Sequence, residues 1–292
     1  MLKRENVLIE ALPYIRELQD SITVIKIGGH AMLDQTVMED IVRDLVLLRY
    51  VGVRPIVVHG GGPEITRNTE KMGKKPEFIA GLRITDEETL EIAQMVLVGK
   101  VNTRIVSLIG KHGAKGIGLS GKDGRLIVAR KKSPQKVLIE GIEKEVDLGW
   151  VGETESINPE ILMLAVEKGY IPVISPIAVD IDGNSLNINA DSVAGDIASS
   201  IKSKKLIMLT DVPGILQDPS DPKSIISQIS LDEAKKLISS KTIQEGMIPK
   251  IEACVKAIEG SVEKAHILSG NLPHALLLEL FTDKGIGTMI YR

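Results

Sequence analysis

The stretch Ile22-Thr23-Val24-Ile25-Lys26-Ile27-Gly28-Gly29 is a short apolar run that one lysine interrupts and two glycines end. Runs of this kind are typical of strands buried on both faces of a parallel sheet. Burying an ammonium group without a counter-charge costs on the order of several kcal/mol. Lys26 is therefore expected near the carboxyl end of the strand, pointing at a bound anion. The alternative is an edge-strand lysine that reaches solvent.

A second junction of the same kind follows along the chain. Arg54 to His59 reads as a strand, and Gly60-Gly61-Gly62-Pro63 opens a helix with proline at a favoured early position. In open α/β sheets, ligands bind at the carboxyl ends of the strands. Glycines let an anion approach backbone N–H groups there, and a helix N-terminus favours negative charge. The two junctions together predict an anion site, whereas tight turn geometry alone would explain either one.

Short apolar runs alternate with helical periods along most of the chain, which predicts an α/β layer fold with a mainly parallel sheet. Helices are expected over the period Val37, Ile41, Leu45 and Leu48, from Asp86 to about Gly110, from Pro159 to Gly169, from Asp191 onward, and at about 231–239, 248–259 and 273–281; further strands are expected at Ile171 to Ser175, Lys205 to Thr210, Ala265 to Leu268 and Gly287 to Tyr291. Residues 112–157 are punctuated by glycine and predict β-hairpins inserted on the sheet. A boundary near residue 185 would divide segment 21–185 from segment 186–292, with both sharing one sheet.

Composition excludes several classes of function. Of 292 residues, 36 are basic and 39 acidic, and they are mixed along the chain, so no basic block points to nucleic acid or a membrane surface. Aromatic residues make up only 2%, too few for a base-stacking platform. No uninterrupted apolar run reaches the roughly 18 residues of a spanning helix, and the N-terminus lacks a signal-peptide core. The single cysteine, Cys254, excludes an intrachain disulfide. We expect a cytoplasmic protein that binds neither nucleic acid nor membrane.

Two common nucleotide motifs are missing or out of context. No G-x-x-x-x-G-K-[ST] sequence occurs, so a P-loop is excluded. Gly116, Gly118 and Gly121 form a G-x-G-x-x-G, but a β-like run follows where the dinucleotide fingerprint needs a helix. We interpret these as hairpin glycines. The five histidines are scattered and form no metal pair, so no protein metal site is predicted.

The segment Leu186-Asn187-Ile188-Asn189-Ala190-Asp191 has polar side chains at alternate positions. In an extended chain, Asn187 and Asn189 share one face and Asp191 stands at the mouth of the following helix. Two amides can hold a substrate's carboxylate or amide, and the aspartate can orient lysines. The alternative is that Asp191 is only an N-cap.

Two further cations stand at predicted helix starts. Lys250 follows Gly246-Met247-Ile248-Pro249, where a cation opposes the helix dipole by roughly 0.3–1 kcal/mol unless an anion binds between them. Arg83 precedes a helix start and carries a planar fork suited to a carboxylate. A solvated lysine and a surface ion pair of Arg83 with Asp86 or Glu87 are the alternatives.

Taken together, these segments resemble the amino acid kinase family, and within it the branch that phosphorylates N-acetyl-L-glutamate. The matching pieces occur in the family's order and span nearly the whole chain: Lys26-Ile27-Gly28-Gly29, His59-Gly60-Gly61-Gly62-Pro63, Gly81-Leu82-Arg83-Ile84-Thr85, Asn187-Ile188-Asn189-Ala190-Asp191, Leu209-Thr210-Asp211-Val212-Pro213-Gly214 and Gly246-Met247-Ile248-Pro249-Lys250. The resemblance implies a three-layer αβα sandwich and transfer of phosphate from ATP, with Mg²⁺, to the side-chain carboxylate of N-acetyl-L-glutamate. That reaction belongs to arginine biosynthesis.

The resemblance also implies roles for individual residues. The catalytic residues would be Lys26, Lys250 and Asp191; the acetylglutamate contacts would be Gly61, Gly62, Arg83 and Asn187, with Asn189 close by; the nucleotide side would comprise Gly28, Gly29, Thr210, Asp211 and Met247. Segment 21–185 would hold the amino acid and segment 186–292 the nucleotide. A carboxylate with a pKa of about 4 is already ionised at neutral pH, so such a site requires no general base.

Residues 1–20 add a regulatory hypothesis. Residues 5–20 form an amphipathic pattern with Pro13 inside it, which predicts a kinked helix. This extension and the segment His274 to Thr288 resemble those of arginine-inhibited members, which form ring-like homohexamers (trimers of dimers). The resemblance implies arginine as inhibitor, at a site formed by Tyr14, Glu279, Gly285 and Gly287.

Three alternatives remain open on the sequence. The first is a related kinase acting on aspartate, glutamate or carrier-bound aminoadipate, and the second is a non-catalytic amino-acid sensor on the same scaffold. Lys26, Asp191 and Lys250 argue against a sensor, which has no use for phosphoryl-stabilising lysines. The third, a dinucleotide oxidoreductase, rests only on the misplaced glycine motif.

Overall fold

In a computed structural model of the chain, the structure describes residues 4–79, 82–139, 142–218, 220–221, 224–240, 243 and 245–292. The α-helices are α1 (Arg4–Leu18), α2 (Gln35–Tyr50), α3 (Gly62–Lys71), α4 (Glu87–Gln94), α5 (Thr103–Lys111), α6 (Glu160–Glu167), α7 (Ala190–Ser200), α8 (Leu231–Ser240), α9 (Ile248–Glu259) and α10 (Ala275–Leu280). The strands are β1 (Ile22–Ile27), β2 (Arg54–His59), β3 (Phe78–Ile79), β4 (Leu82–Arg83), β5 (Lys115–Ser120), β6 (Ile127–Lys131), β7 (Gln135–Ile139), β8 (Ile142–Val146), β9 (Gly152–Ile157), β10 (Tyr170–Ser175), β11 (Ile177–Val179), β12 (Ser185–Asn187), β13 (Lys205–Thr210), β14 (Gln228–Ser230), β15 (Lys264–Ser269) and β16 (Thr288–Tyr291).

An eight-stranded sheet organises these elements, in the order β14-β16-β15-β13-β1-β2-β10-β5. Its pairs are parallel except β15–β16, so the predicted mainly parallel sheet is confirmed. β1 lies between β2 and β13, with Lys26 in register with Val58 on one side and Met208 on the other. One sheet therefore joins the two halves of the chain.

Both faces of the sheet are covered, which gives the expected three layers. Along β1, Val24 packs into the cluster that includes α7 and α9, and Ile25 into the cluster that includes α2, α5 and α10. Side chains alternate across a strand, so Lys26 shares the α7 face with Val24. Both apolar side chains are fully buried, and each such burial contributes about 1.5–3 kcal/mol.

The hairpin insertions form three smaller sheets, β12-β11-β6-β9, β3-β4 and β7-β8. The expectation that hairpins fill residues 112–157 is wrong at its start, because β5 is the parallel edge strand of the main sheet. Gly116 and Gly118 are accordingly not hairpin glycines. A β-carbon on Gly116 would lie 3.3 Å from Ile109, and one on Gly118 would collide with Asn102, so these glycines let the preceding helix approach the strand.

The long helix predicted from Asp86 is continuous from Glu87 to Lys111 and contains an eight-residue π-helical segment, Met95–Asn102, between α4 and α5. Asp86 is its N-cap and accepts a hydrogen bond from Thr89 N. By length and composition this helix could cross a membrane, with mean hydropathy 1.4 over its most apolar window. Buried side chains such as Leu97, Val101 and Ile105 pack it against the sheet, and core helices of globular proteins pass the same test.

α1 runs from Arg4 to Leu18 with Pro13 inside it, which confirms the leading helix. Leu18 is buried, whereas Ile9 is 68% exposed and Leu12 41% exposed. Lys204 Nζ donates to Glu17 O at 2.8 Å and ties the end of α1 to the loop before β13. The kink predicted at Pro13 stays a prediction.

Candidate active site

The candidate site lies at the carboxyl ends of three adjacent strands. β1 ends before Gly28-Gly29, β2 before Gly60-Gly61-Gly62, and β13 before Asp211. The chain passes from β1 to β2 on one side and returns later to β13 on the other. Such a reversal of strand order opens a crevice at the carboxyl edge of an α/β sheet, which is where ligands bind.

Lys26, Asp191 and Lys250 meet at this edge although they are far apart in the sequence. Lys26 Nζ lies 2.7 Å from Asp191 Oδ1, and Lys250 Nζ lies 3.1 Å from Asp191 Oδ2. The sheet presents Lys26, the first turn of α7 presents Asp191, and the first turn of α9 presents Lys250. One carboxylate thus bridges two ammonium groups at the ends of two helices.

The electrostatics of this group account for its burial. Lys26 and Asp191 are almost completely buried. Burial opposes ionisation of Asp191, but the charges of Lys26 and Lys250 outweigh it and hold the pKa of this carboxyl below its usual value. The three side chains carry two positive charges and one negative charge, so the site keeps a net attraction for an anion.

Asp191 is not the N-cap of α7, so the capping alternative is wrong. Asn189 fills that position, and its Oδ1 accepts from Asp191 N at 2.7 Å and from Ser192 N at 3.3 Å. Asp191 stands inside the first turn, and its side chain is free to bind the two lysines.

The first glycine junction packs against charged side chains. Gly29 has φ +66°, in the left-handed region that favours glycine, and begins a short 3₁₀ turn. A β-carbon on Gly28 would collide with Lys26 Nζ, and one on Gly29 with the carboxylate of Asp211. The turn after β1 therefore brings its backbone against one lysine and one aspartate of the site.

Arg83 and the two asparagines line a cavity of about 510 Å³ beside this group. Arg83 Nη2 donates to Gly62 O at 3.0 Å and to Thr66 Oγ1 at 2.6 Å, and the guanidinium stacks 4.5 Å from the centre of the Phe78 ring. Its Nη1 is buried and has no hydrogen-bond partner within the described part of the chain. A buried cationic donor in that state suits a carboxylate ligand. Among the described residues, Arg83 forms no ion pair with Asp86 or Glu87, and Asp86 pairs with Lys74 at 2.5 Å.

Thr210, Asp211 and Met247 lie on the β13 side of the crevice. Thr210 ends β13 and its carbonyl accepts from Gly270 N at 2.8 Å. Asp211 is exposed beside Gly29, whereas Met247 is buried in the hydrophobic cluster at the start of α9. These residues border the carboxyl edge together with Lys250.

Comparison with known proteins identifies the family. The model of the amino acid kinase family matches residues 21–269. An acetylglutamate kinase of Methanococcoides burtonii is 63% identical over 290 residues, which are 99% of this chain and 95% of the relative. The chain belongs to the amino acid kinase family.

Solved structures agree with this kinase fold over almost the whole chain. An N-acetylglutamate synthase of Neisseria gonorrhoeae, complexed with coenzyme A and N-acetyl-glutamate, superposes with a TM-score of 0.84 at 28% identity; the match covers 99% of this chain and 64% of the synthase. The synthase complexed with coenzyme A and L-arginine gives a TM-score of 0.80 at 25% identity, covering 99% of this chain and 65% of the synthase. The kinase thus spans just under two-thirds of those chains.

A second cavity of about 490 Å³ lies at the opposite, amino-terminal edge of β13 and β15. The four residues implied as an effector site all line it: Tyr14, Glu279, Gly285 and Gly287. Tyr14 donates its hydroxyl to Asp283, which joins α1 to the segment after α10. The cavity thus has one wall from the leading helix and one from the end of the chain.

Glu279 is the most heavily bonded group of this cavity. It lies 2.6 Å from His266 Nδ1 and accepts from Ile286 N at 2.7 Å and from Gly287 N at 3.1 Å. Burial raises the pKa of this carboxyl, but these hydrogen bonds outweigh it and hold the pKa below its usual value. Glu279 is therefore an anion in the folded protein.

The sequence analysis did not identify several residues of the two cavities. Phe78 and Thr66 position Arg83, and Lys205, Lys264 and His266 line the second cavity. The lysines sit in register at the starts of β13 and β15, at the edge away from the ligand site. Lysines at the starts of two predicted strands could have indicated an anion site on the sequence. The contact of His266 with Glu279 could not have been predicted, because it depends on how β15 and α10 pack.

Proposed function

We propose that this kinase transfers the terminal phosphoryl group of ATP to the side-chain carboxylate of N-acetyl-L-glutamate, giving N-acetyl-L-glutamyl 5-phosphate and ADP. The observation that supports the reaction best is the buried Lys26–Asp191–Lys250 group at the strand ends. One carboxylate oxygen of the substrate forms the new P–O bond, and the bond between the phosphorus and ADP breaks. The product is an acyl phosphate for arginine biosynthesis.

The chemistry of the acceptor explains the kind of side chains in the site. A carboxylate is ionised at neutral pH, so no protein group has to remove a proton. The remaining tasks are positioning and neutralising charge on the phosphoryl oxygens. Lys26 and Lys250 supply that neutralisation, and Asp191 holds both ammonium groups at one place before the nucleotide binds.

The amino acid would bind in the cavity beside this group. The unpaired Nη1 of Arg83 is suited to the α-carboxylate, and Asn187 and Asn189 to the acetylated amino group. The N–H groups of Gly61 and Gly62, at the start of α3, are suited to the reacting carboxylate. We place the amino acid mainly on segment 21–185, with the two asparagines just beyond its boundary.

The nucleotide would lie on segment 186–292, at Thr210, Asp211 and Met247, with its phosphates over Gly28 and Gly29. ATP enters as its Mg²⁺ complex. Both oxygens of Asp191 are occupied by lysines, so Mg²⁺ would be held chiefly by phosphate oxygens rather than by a carboxylate cage. We place the reaction in the cytoplasm.

Trapping the acyl phosphate tests the reaction and its substrate. The enzyme is incubated with MgATP, hydroxylamine and one of N-acetyl-L-glutamate, L-glutamate or L-aspartate, and hydroxamate and ADP are measured together. We expect both products with N-acetyl-L-glutamate at rates well above those with the other acids. Faster hydroxamate formation from another acid would contradict the assignment.

We also propose that arginine inhibits the enzyme at the second cavity. Lys205 and Lys264 are suited to its carboxylate, and Glu17, Glu279 and Asp283 to its guanidinium and ammonium groups. α1 leaves Ile9 and Leu12 exposed, so we propose that it also packs on α1 of another subunit in a homohexamer, a trimer of dimers.

A further inference from the structure

The helix Glu87–Lys111 packs directly behind the Gly60-Gly61-Gly62 turn. A β-carbon on Gly61 would lie 2.5 Å from Leu97 Cδ2 and 3.8 Å from Val101 Cγ2. Both of these residues belong to the π-helical segment. Glycine at position 61 lets the Leu97 side chain approach the turn, and the next residue of the segment, Asn102, lies beside the end of β2.

Asn102 is a buried polar residue with a defined orientation. Its Nδ2 donates to Val173 O at 2.8 Å and lies 3.3 Å from His59 Nε2. A carbonyl oxygen can only accept, so the group facing Val173 is the amide N–H₂. The second N–H of Asn102 has two acceptors within reach, His59 Nε2 at 3.3 Å and Leu119 O at 3.5 Å.

The carbonyl of Gly60 fixes the tautomer of His59, because it can only accept from Nδ1, and the amide of Asn102 faces the remaining ring nitrogen. With Nε2 as acceptor, the ring proton of neutral His59 is on Nδ1, which donates to Gly60 O at 2.8 Å. The ring is fully buried, and burial lowers the pKa of His59 to about 4. His59 is consequently a neutral Nδ1–H donor at the pH of a cytoplasmic enzyme.

Holding Gly60 O also orients the next amide. The carbonyl of Gly60 and the N–H of Gly61 belong to one planar trans peptide and point in opposite directions. The flanking groups are fixed as well, because Gly60 N donates to Ile27 O at 2.9 Å and Gly61 O accepts from Ile65 N at 2.8 Å. The hydrogen bond from His59 therefore sets the direction of Gly61 N–H.

We propose that Asn102 and His59 are positioning residues that aim Gly61 N–H at the reacting carboxylate of N-acetyl-L-glutamate. The inference rests on the proposed function and adds two residues that do not touch the substrate. A glycine turn without this support could rotate its peptide at little cost, since glycine allows a wide range of φ and ψ. The helix with the π-helical segment is then a rigid backing for the substrate turn.

Steady-state kinetics of matched variants test the positioning role. His59→Asn keeps a donor near the place of Nδ1, whereas His59→Gln moves the donor to the place of Nε2, and Asn102→Ala removes the orienting amide. A hydrogen bond to a charged group corresponds to a change of about 10- to 100-fold. We expect His59→Gln and Asn102→Ala to raise KM for N-acetyl-L-glutamate about tenfold or more, with KM for ATP changed less than about twofold.

Two controls separate positioning from general damage to the core. Ile105→Val trims a fully buried side chain one turn further along the same helix, and we expect a lower Tm with KM for N-acetyl-L-glutamate unchanged. His59→Asn should restore most of the affinity that His59→Gln loses. A uniform effect of all four variants on both substrates would overturn the inference.

The tautomer of His59 can be measured independently of the kinetics. ¹⁵N spectra of the histidine-labelled protein should show a neutral imidazole protonated at Nδ1 that does not titrate between pH 5 and 8 and is assigned to His59 by its loss in His59→Gln. The signal of His266, whose Nδ1 faces Glu279, should persist in that variant. A His59 ring protonated at Nε2 would overturn the inference, as would unchanged KM values in both His59→Gln and Asn102→Ala. An unmodified enzyme inactive towards N-acetyl-L-glutamate would instead contradict the proposed function itself.

Discussion

Lys26 illustrates at the scale of one residue why a charge is tolerated inside the sheet. Its ammonium group is buried with an ionised partner 2.7 Å away, and that partner is shared with Lys250. Removing one member of a buried ion pair costs about 3–5 kcal/mol, because the remaining charge is left uncompensated. Such a group is kept for its chemistry rather than for stability, since apolar side chains of equal volume would serve stability as well.

Replacing Lys26 by alanine should lower kcat by about 10²- to 10³-fold, because one donor to the migrating phosphoryl group is lost. Binding of N-acetyl-L-glutamate should change far less. The matched control is Lys235→Ala, which removes a half-exposed lysine paired with Glu259 at 2.7 Å and should leave kcat unchanged. Comparable kcat values for the two variants would rule out the role given to Lys26.

Asp44 should make the stability of the fold depend on pH. Its carboxyl is buried, and burial, opposed by the hydrogen bond to His274 Nδ1 at 2.6 Å, raises its pKa to about 6. The folded state therefore holds a proton that the unfolded state releases near pH 4. This contribution to stability is fully present below about pH 4 and is lost as the pH rises through about 6.

The corresponding change in free energy of unfolding is about 2 kcal/mol between pH 4.5 and 7.5. Asp44→Asn stays neutral, so urea unfolding at the two pH values should show this loss in the unmodified protein but not in the variant. If the free energy of unfolding depends on pH equally in both proteins, the pKa of Asp44 is not raised in the folded state.

At the scale of elements, α1 and the segment around α10 close the second cavity together. The hydroxyl of Tyr14 on α1 donates to Asp283, and Glu279 on α10 is held by His266 and two backbone N–H groups. Arginine bound in this cavity, as we propose, would contact both elements at once.

Deleting residues 1–20 should abolish the proposed inhibition by arginine and reduce the proposed hexamer to a dimer, with the activity in the absence of arginine retained. Tyr14 and Glu17 leave the cavity, and the exposed Ile9 and Leu12 leave the surface. Light scattering and ADP release with and without arginine measure the two effects. An unchanged mass and an unchanged arginine response would remove the regulatory proposal.

Glu279→Gln tests the cavity without disturbing α1. The variant keeps the shape of the side chain and loses its negative charge, so we expect arginine inhibition to weaken by at least about tenfold. The oligomeric state and the uninhibited rate should be the same as in the unmodified enzyme. Inhibition as strong as in the unmodified enzyme would place arginine elsewhere.

Sequence periodicity predicted the elements that are buried on one or both faces. β13 was predicted with the bounds it has, and α9 likewise, because their apolar positions follow the period of a strand and of a helix. β5 was taken for part of a hairpin, since its glycines serve a neighbouring helix that the local pattern does not show. The π-helical segment could not be predicted, because its sequence has no apolar pattern that differs from that of an α-helix.

The same limit applies to the candidate site. Lys26 and Lys250 were identified because burial in one case and the helix dipole in the other make a cation unfavourable there without a partner. Asp191 was identified because it follows two asparagines at alternate positions. His59 and Asn102 give no such signal, since their pairing depends on β2, β10 and the long helix packing together. Residues that support a site through others are visible only in the structure.

At the scale of the whole molecule, one sheet carries the two candidate ligand sites at opposite edges. The lysine–aspartate group lies at the carboxyl edge of β1 and β13, and the second cavity at the amino edge of β13 and β15. β13 therefore runs from Lys205 in the second cavity to Thr210 beside the candidate active site. A shift of this strand or its neighbours is the direct route by which one site can affect the other.

The proposed mechanism requires two lysines, Lys26 and Lys250, to contact one transferring phosphoryl group. A crystal structure with MgADP, aluminium fluoride and N-acetyl-L-glutamate reports this arrangement directly. We predict that Nζ of Lys26 and Nζ of Lys250 each lie about 2.7–3.2 Å from a fluoride of the planar group, with Asp191 still between them. A complex in which either ammonium group stays outside hydrogen-bonding distance of the fluorides would contradict the mechanism.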